Sequence, residues 1–140
     1  MDRFFNPRSV VVIGASNSPF NLGATICRAL NEYSSWNGEV FAVNRKGESV
    51  HGCPGYVAVT DIPQKVDLAV IIAPAQVVHR FVEQCAEKGI QRIIIESSGF
   101  SEGGDQGRVI QQKIDETVRK NGMRIMGPNC LGVLNTRNQF

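Results

Sequence analysis

The apolar residues of this chain fall into two kinds of pattern. Val10-Val11-Val12-Ile13, Val40-Phe41-Ala42-Val43, the run from Leu68 to Ile72, Ile93-Ile94-Ile95 and the run from Met123 to Met126 are short continuous blocks. Blocks of that length without polar alternation read as strands buried on both faces. Between them, apolar positions recur every three to four residues: Leu22, Ile26, Leu30 and Tyr33; then Val78, Phe81, Val82, Cys85 and Ala86; then Ile110, Ile114 and Val118. These spacings predict helices over 22–33, 76–88 and 106–120, stopped by Asn37-Gly38, by Gly89 and by Asn121-Gly122.

Strand and helix alternate along the whole length. The first strand is predicted over 9–13, the second over 39–43, and a weaker edge strand over 55–59 beyond a turn-rich stretch with Gly52 and Pro54. Asp61-Ile62-Pro63 reads as a capped turn, and the aromatic pair Phe4-Phe5 as an arm packed on the domain. This order predicts an α/β fold, a Rossmann-like doubly wound, mainly parallel sheet with helices on both faces. With 140 residues and no internal repeat, it is expected to be one domain over 1–140.

Composition narrows the partners. The chain is 42% hydrophobic and 20% charged, with a formal net charge of +2. Its scattered lysines and arginines form no stripe of the kind nucleic acid requires, and no run approaches the length of a membrane span. With no signal-like start, a cytoplasmic location is expected. The four cysteines, Cys27, Cys53, Cys85 and Cys130, lack metal-ligand spacing. Neither a zinc site nor a disulfide framework is expected.

In such a sheet, ligands bind outside the carboxyl ends of the strands. Those ends are Gly14-Ala15-Ser16, Asn44-Arg45-Lys46-Gly47, Ala73-Pro74-Ala75, Glu96-Ser97-Ser98-Gly99 and Gly127-Pro128-Asn129-Cys130. They offer backbone amides, hydroxyls and a cation, which suit a ligand with several phosphates. The first loop, running from Gly14 to Gly23, precedes a helix whose first amides are expected to stand unpaired there. It lacks GxGxxG, and Asn44-Arg45-Lys46 stands where a dinucleotide site has an acid. A cation at that place favours a phosphorylated ribose, either the 2'-phosphate of NADP or the 3'-phosphate of coenzyme A (CoA).

Several motifs now combine. Phe4-Phe5-Asn6-Pro7-Arg8-Ser9-Val10 leads into Val12-Ile13-Gly14-Ala15-Ser16; Ala42-Val43-Asn44 is followed by Lys46-Gly47; then come Asp67-Leu68-Ala69-Val70, Ala73-Pro74-Ala75, Ser98-Gly99-Phe100-Ser101-Glu102 and Gly122-Met123-Arg124, with Gly127-Pro128-Asn129-Cys130-Leu131-Gly132 last. In this order they resemble the N-terminal CoA-binding domain of NDP-forming acyl-CoA synthetases, a group that includes ADP-forming acetate–CoA ligase and is related to the succinyl-CoA synthetase alpha subunit. The resemblance implies that this is the N-terminal part of a longer synthetase. It places the phosphates of CoA on the first loop (Gly14, Ala15, Ser16, Asn17, Ser18 and Gly23) and on Asn44 and Lys46. Pro74 and Ala75 would lie beside the nucleotide, and Ser97, Ser98 and Gly99 along the pantetheine. Asn129 falls in the segment that, in the related subunit, lies near a phosphohistidine loop.

The same resemblance assigns the phosphohistidine and the ATP/ADP site to further domains or subunits, including an ATP-grasp domain. The chain alone is therefore expected to bind and not to turn over. His51 lies in a turn and His79 on a core-patterned helix, so neither is an expected catalyst; Cys130 reads as a packed thiol, and Glu102 and Asp105 as ordinary acids at a helix start. Two other readings remain open: a CoA-binding regulatory module, stand-alone or fused to a protein acetyltransferase, and an NADP-binding oxidoreductase domain.

Overall fold

The computed structural model describes residues 2–140. Six strands form one sheet: β1 (Ser9–Ile13), β2 (Glu39–Val43), β3 (Gly55–Tyr56), β4 (Leu68–Ile71), β5 (Arg92–Ile95) and β6 (Arg124–Met126). Their order is β3-β2-β1-β4-β5-β6 and every pairing is parallel. This is the doubly wound, Rossmann-like arrangement, and its order reverses between β1 and β4. All of β1 and β4 is buried, as the unbroken apolar runs require.

The two sheet faces are covered differently. Helices α3 (Ala75–Lys88) and α4 (Asp105–Lys120) pack over Val11, Ile71, Ile93 and Ile95 on one face. The other face carries α1 (Asp2–Phe5), α2 (Leu22–Arg28) and the extended stretch that ends at Phe140, over Val10, Val12, Val70 and Ile94. Phe4 of α1 is buried there, as the arm was expected to be.

β4, β6 and α4 depart from the expected bounds by one residue at one end, and three further elements depart as well. The helix after β1 is α-helical only to Arg28 and continues as a π turn, Ala29–Tyr33. Its core face is Gly23, Ala24 and Cys27; Leu22 and Tyr33, read as core positions, are 64% and 66% exposed. Small side chains let this helix approach the sheet more closely than leucine would. The edge strand stops at Tyr56 because the Asp61 carboxylate accepts the Ala58 amide at 3.0 Å, starting a 3-10 turn at Val59–Asp61. Finally, α3 starts one residue early, at Ala75.

Candidate functional site

A cavity of about 930 Å³ opens at the carboxyl edge of the sheet, above β1, β2 and β4. Its floor is the switch point. Gly14 has φ 96°, and a Cβ there would stand 1.9 Å from the Ile72 carbonyl oxygen. Only glycine lets the chain leave β1 so close to the end of β4.

The first loop is braced by one side chain. Asn21 caps α2: its Oδ1 accepts the amides of Ala24 at 2.8 Å and Ser16 at 3.0 Å, while its Nδ2 donates to the Gly14 carbonyl at 3.1 Å. The Asn21 carbonyl accepts the Thr25 amide as well. Of the helix's first amides, expected to stand unpaired, that of Ala24 is taken by Asn21 Oδ1, the Thr25 bond is the first ordinary helical one, and those of Leu22 and Gly23 have no partner among the described residues. What faces the cavity is the loop itself, at Gly14, Ser16, Asn17, Ser18 and Asn21.

The turn after β2 makes the opposite wall. Asn44 Oδ1 accepts the amides of Lys46 and Glu48, each at 3.1 Å, and its Nδ2 donates to the Glu48 carbonyl at 2.8 Å. Lys46 and Glu48 thus project side by side, Nζ to Oε1 3.5 Å, with 76% and 50% of their side chains exposed. Such a solvated pair is worth little, so an incoming phosphate can displace the carboxylate from the ammonium. The third wall is Ala73, Pro74, Gln76, Val77 and Phe81, faced by Val57. The cavity therefore has hydroxyls, amides, the cations Arg45 and Lys46 and the Glu48 carboxylate on its polar sides and an apolar slot at the other.

The expected site residues do not all meet here. Gly14, Ser16, Asn17, Ser18, Asn44, Lys46 and Pro74 line the cavity. Ala15 is fully buried under the loop, and Gly23 presses on it: a Cβ at Gly23 would lie 2.7 Å from the Ala15 Cα. Ala75 is buried in the first turn of α3. Ser97, Ser98, Gly99 and Asn129 sit at the neighbouring ends of β5 and β6, outside the lining. Ser97 Oγ accepts the Ala73 amide at 3.0 Å and its carbonyl accepts the Asn129 amide at 3.0 Å, which ties these ends to the cavity rim. The Gly99 amide is engaged by Glu102 Oε1 at 2.6 Å. That contact, with the amides of Phe100 and Glu102, holds the Glu102 carboxyl below its ordinary range.

Sequence reasoning passed over Asn21, Glu48, Val57, Gln76, Val77 and Phe81 as lining residues. An Asn directly before a helix is an N-cap signal and could have exposed the first. Phe81 was read as core, and its place beside the cavity depends on how α3 is rotated, which periodicity does not fix.

The remaining titratable groups lie elsewhere. Burial raises the Glu96 carboxyl; it lines a second hollow of about 350 Å³ with Leu30, Tyr33, Leu131 and Leu134. Burial pushes the Cys85 thiol up to about 12, and Cys27 is raised by a hydrogen bond with Cys53 and by burial. Among the described residues no three His, Cys, Asp or Glu side chains gather as metal ligands, and no helix is long and apolar enough to cross a membrane.

A doubly wound parallel sheet with a phosphate-suited cavity at its switch point defines a Rossmann-like nucleotide-binding class. Residues 8–136 match the CoA binding domain family, and the chain belongs to it. It is 43% identical, over 136 residues, to the alpha subunit of ADP-forming acetate–CoA ligase II of Pyrococcus furiosus, covering 97% of this chain and 29% of that one. Among solved structures, a protein of Pyrococcus horikoshii superposes with a TM-score of 0.90 at 43% identity, over 99% of this chain and 31% of that one. The dinucleotide-forming acetyl-coenzyme A synthetase 1 of Candidatus Korarchaeum cryptofilum, in complex with phosphate and ADP, gives 0.90 at 33% identity, over 99% and 29%. The chain thus spans less than a third of the length of these relatives.

Proposed function

We propose that this domain holds CoA within an acid–CoA ligase of the NDP-forming type, presenting the thiol to an acyl phosphate made elsewhere in the assembly. The observation that carries the reading is the two-sided cavity: Ser16, Ser18 and Lys46 flank a space large enough for a nucleotide with several phosphates, and Val57, Val77 and Phe81 bound its apolar side. The amides and hydroxyls of the first loop take the pyrophosphate, and Lys46 takes the 3'-phosphate in place of Glu48. Gly14 and Gly23 serve by letting backbone approach backbone. Pro74 and Ala75 shape the nucleotide wall, while Ser97, Ser98, Gly99 and Asn129 line the route of the pantetheine arm beyond the rim.

On this reading the chain supplies the binding and orientation of CoA, and activation of the carboxylate falls to the rest of the assembly. ATP or ADP and a phosphohistidine belong to further domains or subunits, a division that the small share of the relatives' length spanned here supports. Calorimetric titration of the wild type and of Lys46→Ala with CoA, dephospho-CoA and NADP tests the reading. CoA should bind best, and loss of a charge-assisted contact of about 2 kcal/mol should weaken it roughly thirty-fold in the variant. Tighter binding of NADP, or no binding of CoA, would overturn the proposal; equal affinity for CoA and dephospho-CoA would remove Lys46 from it.

A further inference from the structure

The two walls that carry the polar groups of the cavity are linked by a side chain. Asn17, on the first loop, donates from Nδ2 to the carbonyl of Ser49 at 3.0 Å. Ser49 directly follows Glu48, whose carbonyl and amide are both held by Asn44, and Asn44 also holds the Lys46 amide. A continuous path of hydrogen bonds therefore runs from the first loop, through Ser49 and Asn44, to the backbone of Lys46. The far side of the same segment is held separately: Asn31 Nδ2 donates to the His51 carbonyl at 2.8 Å, and His51 Nδ1 lies 3.1 Å from Glu32.

This contact gives Asn17 a role beyond the direct phosphate contact expected of it. One of the two N–H donors of its side-chain amide is held by the opposite wall, and the group it restrains is the turn bearing the exposed ammonium of Lys46. We infer that Asn17 is a positioning residue that sets the preference of the cavity for a ligand carrying a ribose phosphate, acting through the placement of Lys46. This rests on the reading of the cavity as a CoA site. Without the tether the turn keeps its internal Asn44 bonds and its anchor at His51, so it stays folded and loses only its register against the first loop. A flexible lysine then loses part of the gain from a fixed phosphate contact, because it must be ordered on binding.

The consequence is selective. CoA and dephospho-CoA share the pyrophosphate and the pantetheine and differ only in the 3'-phosphate. A residue acting through Lys46 changes their ratio, whereas a residue that touches the pyrophosphate or merely supports the fold weakens both alike. The test is a titration cycle on wild type, Asn17→Ala, Lys46→Ala and the double variant with both ligands, accompanied by thermal unfolding. Asn17→Ala is expected to weaken CoA about five-fold, the worth of one neutral hydrogen bond, and to move dephospho-CoA less than two-fold. In the Lys46→Ala background it should leave the CoA-to-dephospho-CoA ratio unchanged. A parallel loss for both ligands, full additivity of the two substitutions on the ratio, or no change on Asn17→Ala would overturn the inference. Failure of the wild type to bind either ligand would instead remove the CoA reading itself, and this inference with it.

Discussion

Gly23 lies where the fold and the proposed site depend on the same contact. Its Cα packs on Ala15, so an added Cβ would stand 2.7 Å from the Ala15 Cα and 2.9 Å from its nitrogen, where ordinary contact begins at 3.4 Å. Both neighbours are backbone atoms of the first loop and cannot rotate away. Gly23→Ala must therefore move α2 or the loop by several tenths of an ångström. Overpacking of this kind costs about 3 kcal/mol at the upper end, and the helix gains back about 1 kcal/mol from replacing glycine. A net loss of about 2 kcal/mol in a chain of this size lowers Tm by roughly 7 °C. Because the displaced loop carries Ser16 and Ser18, CoA affinity should fall at least about ten-fold, as expected when a preorganised site shifts by a fraction of an ångström. Gly103→Ala is the control, since a Cβ there meets nothing within 4 Å. Calorimetric unfolding and titration read both effects. A Gly23→Ala protein with Tm within a degree of wild type, or a destabilised one that binds CoA undiminished, would refute the link between this packing and the loop.

Other outcomes follow from the same geometry. Asn21→Ala removes the helix cap and the brace on Ser16, and should cost about 1 to 2 kcal/mol in urea unfolding along with CoA affinity. Asn21→Asp keeps the one oxygen that accepts both amides but sets its second carboxylate oxygen against the Gly14 carbonyl in place of the donor, so it should keep the cap, lose part of the brace and bind CoA poorly, its charge opposing the phosphates. For Glu96 the carboxyl is raised from 4.5 by burial, so the folded state binds its proton more tightly than the unfolded chain does. The resulting penalty is absent where both states are protonated, and it grows as pH rises through 4.5 to the raised value. Glu96→Gln should therefore stabilise the protein at pH 7 and lose that advantage near pH 3.5, in paired urea denaturation curves; a gain that persists at low pH would contradict the assignment.

How much of this was legible in the residues follows from physical range. The continuous runs at Val10–Ile13 and Leu68–Ile71 read as buried parallel strands and are so, whereas the reversal between β1 and β4 depends on which strands pair and is given only by the sheet order. The cation after β2 and the small residues of the first loop were equally plain. What escaped was set by contacts between distant segments or by side-chain direction. Leu22 and Tyr33 fit a helical stripe, yet Gly23, Ala24 and Cys27 face the sheet because the close approach at Ala15 fixes the rotation of α2. Asn17 was legible as a polar loop residue, but its bond to Ser49 joins positions 32 apart in the chain. All strand ends share one edge, which groups Ser97 and Asn129 with the cavity in the sequence; the structure puts them on its neighbouring stretch, joined to the cavity rim by the Ala73–Ser97 hydrogen bond.

CoA lying across the first loop and the Lys46 turn would reach the backbone amides of both. An amide-resolved NMR titration of the labelled chain with CoA reads those amides one by one. Saturable shifts that move together are expected at residues 14–18, 20 and 21, at Asn44 through Gly47 and at Gln76 and Val77, with little change around Leu131 and Leu134. Shifts centred on that second hollow, or a spectrum unchanged at millimolar CoA, would contradict this placement of CoA.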